Sequence, residues 1–600
     1  MNKHLNLLCF ILLLSACQNN EDNVTFSNET SIVDGIKTYR HSEDGKPTSL
    51  DPIKAATQYS SFVVTNIFDT LYTYKYLKRP YELKPNLAQD MPTISEDGLT
   101  YTIKIKSGVT FHNHPAFGLE KNKGREVVAE DFIYSIKRTF DPKNRASGAW
   151  LWQGKINGLD EWKTAGADYN QAVPGLTALD KQTIQVQLIK PYPQLTYTLA
   201  QAFSAIVPRE VVEALGQEFG SKPIGSGPFI LDKFDSEVAY FDKNPDFRKE
   251  PFDIHYEGYD ESIHGETGIA SLHGKNPPFI DKLEIHFAKE STSRWNSFTK
   301  GDEIQYTTVP KDKQNTVILS KSPLTLHPQI TENFNYRYGM EAGFVYGGFN
   351  MDDPIFGING DPEHDAKSKA LRCSIQKSHN WEQKNRAFYF GLGTIFPGII
   401  TPSVSEFDPD QSYDSVTLDV EVAKKMLADQ GWDATNLPVF EYHVAGSVLN
   451  KQFFEQMRGF MNKVGYPLHL IEYHPYPSFG TFNKAIKNRE APFFFMAWTL
   501  DYPDAENTLQ LLYGPNQSPG SNNFNYQNPA YDTLYEQASV MQPSPERTKI
   551  YRKMNQMVID DCVLVSGLSR NKIHLWHKNV ITYPDRQMLG GGHIRYVDVK

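Results

Sequence analysis

Cysteine is scarce, with four in 600 residues. That excludes a disulfide-stapled scaffold and a Cys-rich zinc module. Positive charge is not in excess: the net charge is −10, with no long basic stretch, so there is no electrostatic footprint for nucleic acid. After the first residues no apolar run is long enough to span a bilayer. Catalytic signatures are missing too. Neither His-Glu-x-x-His nor Gly-x-Ser-x-Gly occurs. Ser-x-x-Lys occurs at Ser374–Lys377 and at Ser569–Lys572, but no Lys-Thr-Gly accompanies either. The glycines of Pro223–Phe229 lack the Gly-Lys-Ser/Thr ending of a phosphate loop and read as a turn entering a strand. His255, His264, His273 and His286 do not fall at metal-site spacings. The expectation is no catalytic residue, no cofactor and no metal.

What is present reads as a soluble globular protein, 40% apolar and 22% charged. Aromatics are abundant at 13%, as binding clefts and large cores both require. A chain of 600 residues is too long for one core, so two or three domains are expected. At the start, Lys3 and His4 precede the apolar run Leu5–Leu14, and Leu14–Ser15–Ala16–Cys17 follows. This is similar to a bacterial lipoprotein signal over residues 1–17, with cleavage before Cys17 and acylation of its sulfur. An ordinary cleaved signal peptide is the alternative. Gln18 stands where an Asp would resemble an inner-membrane retention signal, and residues 18–33 are polar enough to be a tether. Processing leaves Cys373 and Cys562. Buried thiols are expected there, with pairing in an oxidising compartment the alternative.

Several elements can be read along the chain. Phe62–Leu71 reads as a helix. Leu99–Lys106 alternates as a half-solvated strand that Ser107–Gly108 breaks and Val109–His112 resumes. Val128, Phe132, Ile136 and Phe140 line one face of a helix that Asp141–Pro142 ends. Thr183–Leu188 and Leu283–Phe287 read as strands. The segment 419–501 gives the clearest topology. Asp419 caps a helix with Ala423, Met426 and Leu427 inward, ended by Gly431. Strand Leu437–Val444 follows, then a helix through Phe453–Val464, strand Pro467–Tyr473, a helix through Phe479–Ile486, and strand Phe493–Trp498. The order β-α-β-α-β predicts parallel strands with right-handed crossovers.

The last of these strands is six apolar residues long, as suits a strand buried on both faces. It runs into Thr499–Leu500–Asp501–Tyr502–Pro503–Asp504. Open α/β sheets bind ligands beyond the carboxyl ends of their strands, which is where Trp498 and Asp501 fall. A carboxylate beside an aromatic wall suits a cationic group such as an ammonium. A plain Asp-containing turn is the alternative.

Together these motifs resemble the extracellular solute-binding proteins of family 5, the dipeptide- and oligopeptide-binding proteins of bacterial ABC importers. The matching order is Ser49–Pro52 with Asn66–Leu71, Asp97–His112, Ala129–Arg138, Gly225–Phe229, Asn244–Phe247, Pro278–Leu283, Leu371–Arg372 opening a helix, Trp498–Pro503, and Asn522–Phe524 with Asn528–Asp532. The loop 113–125 and the stretch 250–277 look like insertions. Ala55–Thr57 stand where known oligopeptide binders carry an acidic residue.

The resemblance implies an α/β, periplasmic-binding-protein-like fold: two ligand lobes and an extra inserted domain, forming a hinged clamp. It implies domain I from residues 34–72, 206–310 and 566–600, domain II from 73–205, and domain III from 311–565, with hinges near 305–315 and 560–570. It implies a peptide ligand, or otherwise an oligosaccharide, metal chelate or peptide-like antibiotic, held by Asp501, Trp498 and Tyr502. The partner implied is an ABC permease in the inner membrane. The receptor is expected to be a monomeric lipoprotein of the periplasm, anchored through Cys17. A lipoprotein hydrolase is the competing class.

Overall fold

The computed structural model describes residues 31–301, 303–584 and 592–600. The lipobox cysteine, Cys17, and most of the expected tether lie outside the described residues. No helix among the described residues is long and apolar enough to cross a membrane.

The segment 419–501 folds as its pattern predicts. Side chains of Asp419, Ser447 and Ser478 each accept from a backbone N–H in the first turn of the helix they precede, starting Val420–Asp429, Val448–Lys463 and Phe479–Lys487. The strand Phe440–Ala445 pairs in parallel with Ile471–Tyr476 on one side and Phe493–Thr499 on the other. Two starts are corrected. The strand expected from Leu437 begins at Phe440, since Pro438 has no N–H to offer a ladder. The strand expected from Pro467 begins at Ile471, after a 3-10 turn over Leu468–Leu470.

Phe453 and Phe454 of the first crossover helix pack on Tyr442 and Phe495, on one face of the sheet. Phe482 of the second packs on Tyr476, on the other face. The sheet then continues antiparallel. Gly343–Phe349, buried at every residue, pairs with Phe493–Thr499 and with Leu564–Ser569. Thr394–Ile395 closes the far edge. The product is a mixed six-stranded sheet with a single apolar core.

The N-terminal half has a second core. It joins a five-stranded sheet, in which only Ile36–Glu43 and Lys282–Phe287 run parallel, to the antiparallel sheet containing Thr100–Lys104 and Thr183–Gln187. The helix Ala129–Phe140 lays Phe132, Ile136 and Phe140 into it. Gly225 and Gly227 sit where a Cβ would collide with the main chain of Ile67. That close approach, and not a phosphate, explains the glycines.

A three-stranded sheet of Tyr306–Thr308, Asn571–His577 and Phe334–Met340 links the two bodies. Only Glu341 and Ala342 separate Phe334–Met340 from Gly343–Phe349, and only Arg570 separates Leu564–Ser569 from Asn571–His577. Glu341 accepts from Arg570 (2.7 Å) and Lys572 (2.6 Å) across these joints.

Four further expectations are corrected. Cys373 and Cys562 are not free thiols but a disulfide, their Cα atoms 5.2 Å apart across a separation of 189 residues. The helix expected to open at Leu371 runs Pro362–Ser378, with Asp361 capping and Pro362 at its first position. The helix expected over Phe62–Leu71 runs Gln58–Ile67 from a Thr57 cap, and Phe68 is already extended. Val109–His112 does not resume a strand; only an isolated bridge joins Thr110 to Glu126.

Candidate ligand-binding site

Phe493–Thr499 ends where the sheet's carboxyl edge meets the N-terminal body. One buried side chain, Asn507, organises the turn that follows. Its Oδ1 accepts from Trp498 Nε1 at 3.0 Å and from the backbone N–H of Asp501 at 3.2 Å. Its Nδ2 donates to Asp501 Oδ2 at 3.2 Å. Trp498 and Asp501, singled out from the sequence, are therefore held by the same amide.

Asp501 is half-buried. Among the described residues no lysine or arginine bonds its carboxylate, and Asn507 is its one side-chain donor. Burial pushes its pKa above the usual carboxylate range, which the Asn507 hydrogen bond offsets only in part. The other body supplies the facing wall. Gln201 Nε2 reaches the Asp501 main-chain oxygen at 3.5 Å. The Tyr197 ring stacks on Tyr502, with centroids 5.7 Å apart and planes within 9°. Tyr74 stands edge-on to Tyr81, its hydroxyl buried without a hydrogen-bond partner.

Tyr502 itself is buried. Its hydroxyl donates to Glu506 Oε2 at 2.5 Å, and Tyr535 donates to the other oxygen of the same carboxylate. Burial raises the Glu506 pKa against these two hydrogen bonds. Asp504 and Glu406 each accept from Arg547 Nη2 at 2.8 Å. The turn thus carries more carboxylate than counter-charge: among the described residues neither Glu506 nor Asp501 is bonded by a cation, and Asp501 is the less buried of the two, with one amide donor where Glu506 has two hydroxyls.

The structure places Trp498, Asp501 and Tyr502, the residues singled out from the sequence, in one turn. Asn507, Tyr197, Gln201 and Tyr74 are not singled out there: no local motif marks Asn507, whose bonds form when the turn folds back on Trp498 and Asp501, and the other three reach this turn only where the two bodies meet. The Ser-x-x-Lys matches do not assemble. Lys377 Nζ donates to Asp414, Ser569 Oγ donates to Gly343 O, and Lys572 is held by Glu341. The four histidines of 255–286 do not converge with a third donor on a metal-sized group among the described residues.

Comparison with known proteins shows the family and the fold. The family profile described as "Bacterial extracellular solute-binding proteins, family 5 Middle" matches residues 82–520. The chain is 23% identical over 540 residues to the dipeptide-binding protein of Escherichia coli (strain K12), covering 88% of each chain. It is 22% identical over 572 residues to heme-binding protein A of Haemophilus influenzae (strain ATCC 51907 / DSM 11121 / KW20 / Rd), covering 92% of this chain and 91% of that one. Among solved structures it is similar to the periplasmic binding protein DppA from Helicobacter pylori in complex with the peptide STSA. There the TM-score is 0.66 at 20% identity, over 94% of this chain and 98% of that one. The likeness spans both bodies, and the fold is the two-lobed α/β clamp with an extra domain that the sequence implied.

Proposed function

Since the chain belongs to the bacterial extracellular solute-binding proteins, family 5, we propose that it is a lipid-anchored receptor that captures peptides and hands them to an ABC importer's permease. The observation that carries the peptide reading is the Asp501 carboxylate, set at a strand's end beside Trp498 and Tyr74 without a cation. A peptide's α-ammonium supplies the missing charge, and the carboxylate in turn offsets the ammonium's desolvation. An extended peptide can add main-chain hydrogen bonds to the strand ends, a mode that tolerates varied side chains. The names of the Escherichia coli and Helicobacter pylori proteins point the same way.

In this reading residues 34–72, 206–310 and 566–600 form domain I, 73–205 domain II and 311–565 domain III. The lobes close over the ligand, which binds the closed form better and shifts the population toward it. A non-peptide cargo is the alternative, and the name of the Haemophilus influenzae relative favours keeping it.

Asp501→Asn is nearly isosteric and should leave folding little changed. It should weaken free-amine peptides by roughly 2–5 kcal/mol, about thirtyfold or more. Calorimetric titration with free and N-acetylated peptide pools reads this directly. Equal affinity of mutant and wild type for free peptides removes Asp501 as the anchor, and binding of neither pool by the wild type removes the peptide reading. For the anchor, Cys17→Ser should move the protein from the membrane to the soluble fraction. Equal membrane retention would count against acylation.

A further inference from the structure

One group of side chains on the six-stranded sheet has no part in the ligand-binding reading. Residues two apart in a strand share a face. Glu441 and His443 do so in Phe440–Ala445, and Glu472, His474 and Tyr476 do so in Ile471–Tyr476. The strands are parallel and in register, with Glu441 opposite Glu472, His443 opposite His474 and Ala445 opposite Tyr476. The register turns two Glu-x-His pairs into an array of two carboxylates and two imidazoles.

The histidine rings lie parallel within 7°, centroids 4.8 Å apart. Glu441 Oε2 is 2.9 Å from His443 Nε2, and Glu472 Oε2 is 3.3 Å from His474 Nε2. The other nitrogen of His443, Nδ1, is 2.9 Å from the Tyr476 hydroxyl. One donor atom each from Glu441, His443 and His474 lies within 4.8 Å of the others. Glu490 is close enough to act electrostatically on both His443 and Tyr476. Among the described residues no lysine or arginine bonds Glu441, Glu472 or Glu490.

We propose that this array is a binding site for a divalent transition-metal ion of the zinc class, held by His443 Nε2, a ring nitrogen of His474 and the Glu441 carboxylate. Imidazole and carboxylate donors are the set such ions take, at about 2.0–2.2 Å, with a water free to complete a tetrahedron. Donors around one tetrahedral ion lie about 3.4 Å apart at those bond lengths. His443 and Glu441 are already that close. His474 closes the remaining gap by turning its ring, which its 38% side-chain exposure permits. His443, only 5% exposed, is the fixed point. The ion takes the place of the proton between Nε2 and Glu441, and Nδ1–H then donates to Tyr476. A partner on the second ring nitrogen is what orients metal-binding histidines. The sequence gives no warning, because Glu441-x-His443 and His474 are 31 residues apart and meet only through strand register.

The test is calorimetric titration of the chelator-stripped chain with Zn2+ alone. One saturable ion per chain is expected. His474→Ala and Glu441→Ala, at part-exposed positions where folding should survive, should each weaken it at least tenfold. Tyr476→Phe, which removes only the oriented hydroxyl, should weaken it about tenfold. Titration of peptides into the same variants should be unchanged. No saturable ion, or wild-type affinity in His474→Ala, overturns the proposal.

Discussion

Two aspartates, one in each body, show how a carboxylate is used in opposite ways. Asp69 is fully buried in the N-terminal body and accepts from Arg248 (2.7 Å), Arg595 (3.1 Å), Asn86 (3.1 Å) and Ser226 (3.3 Å). Burial alone would raise its pKa; the two guanidiniums overcome that and hold it well below the usual range. Asp501, in the other body, is half-buried, has one amide donor, and is pushed the other way. The first carboxylate is complete within the chain. The second has a single amide donor among the described residues, which is what makes it the proposed ligand anchor. Much of the family signature belongs to the first kind: Asp51 is bound by Arg138 through two hydrogen bonds (2.7 and 2.5 Å), joining two motifs 87 residues apart.

The contrast can be broken at either end. Asp69→Ala should cost the most, roughly 3–5 kcal/mol, because it takes the carboxylate from the buried Arg595 guanidinium and leaves Arg248 with Glu250 alone. Denaturant melts read the loss, while peptide affinity of the remaining folded protein should be unchanged. The Asp69 pKa is depressed on folding. Its stabilisation is therefore present above the unfolded value of about 3.9 and is lost as pH falls toward the folded one. A melt that matches wild type would put Asp69 in the same class as Asp501.

Asn507→Ala should come next, at roughly 1–3 kcal/mol of stability, because Trp498 Nε1 and the Asp501 amide lose their shared acceptor. It should weaken peptide binding as well, by loosening Asp501. Binding unchanged in this variant would show that Asp501 needs no positioning.

The smallest effect is on pH. Asp501 is raised in the free protein, so ionising it opposes folding as pH rises above its unfolded value, and an ammonium relieves that cost. Affinity for free-amine peptides should fall as pH drops through the raised value, by at most about tenfold per unit for one proton. The slope should vanish in Asp501→Asn. A flat wild-type profile would erase the difference between the two aspartates.

Local rules made much of the second body legible. Asp419 announces its helix by capping, the two later helices show in their apolar spacing, and the runs between them have strand length, so this part of the topology is readable from order. The Asp361–Pro362 cap carries the same signal, well before Leu371–Arg372, where the family resemblance places the helix start. Where position depends on distant partners, the sequence was silent. Asn507 looks like any loop asparagine, Tyr197 like any tyrosine, and Cys373 meets Cys562 only once the helix Pro362–Ser378 has packed beside the strand Leu564–Ser569.

The disulfide between Cys373 and Cys562 has a mechanical consequence. It closes the chain into a ring that contains Trp498, Asp501 and Tyr502, while the joints at Glu341–Ala342 and Arg570 lie outside the ring. A pull applied through the chain ends passes across the sulfur bridge instead of through those 189 residues. With the bridge intact they can release none of their contour length, about 650 Å at ~3.4 Å per residue. A single peptide cut inside the ring would likewise leave both pieces tied together. The lobe that offers the carboxylate can be stretched at its joints or nicked in its loops, and still remain one covalent body.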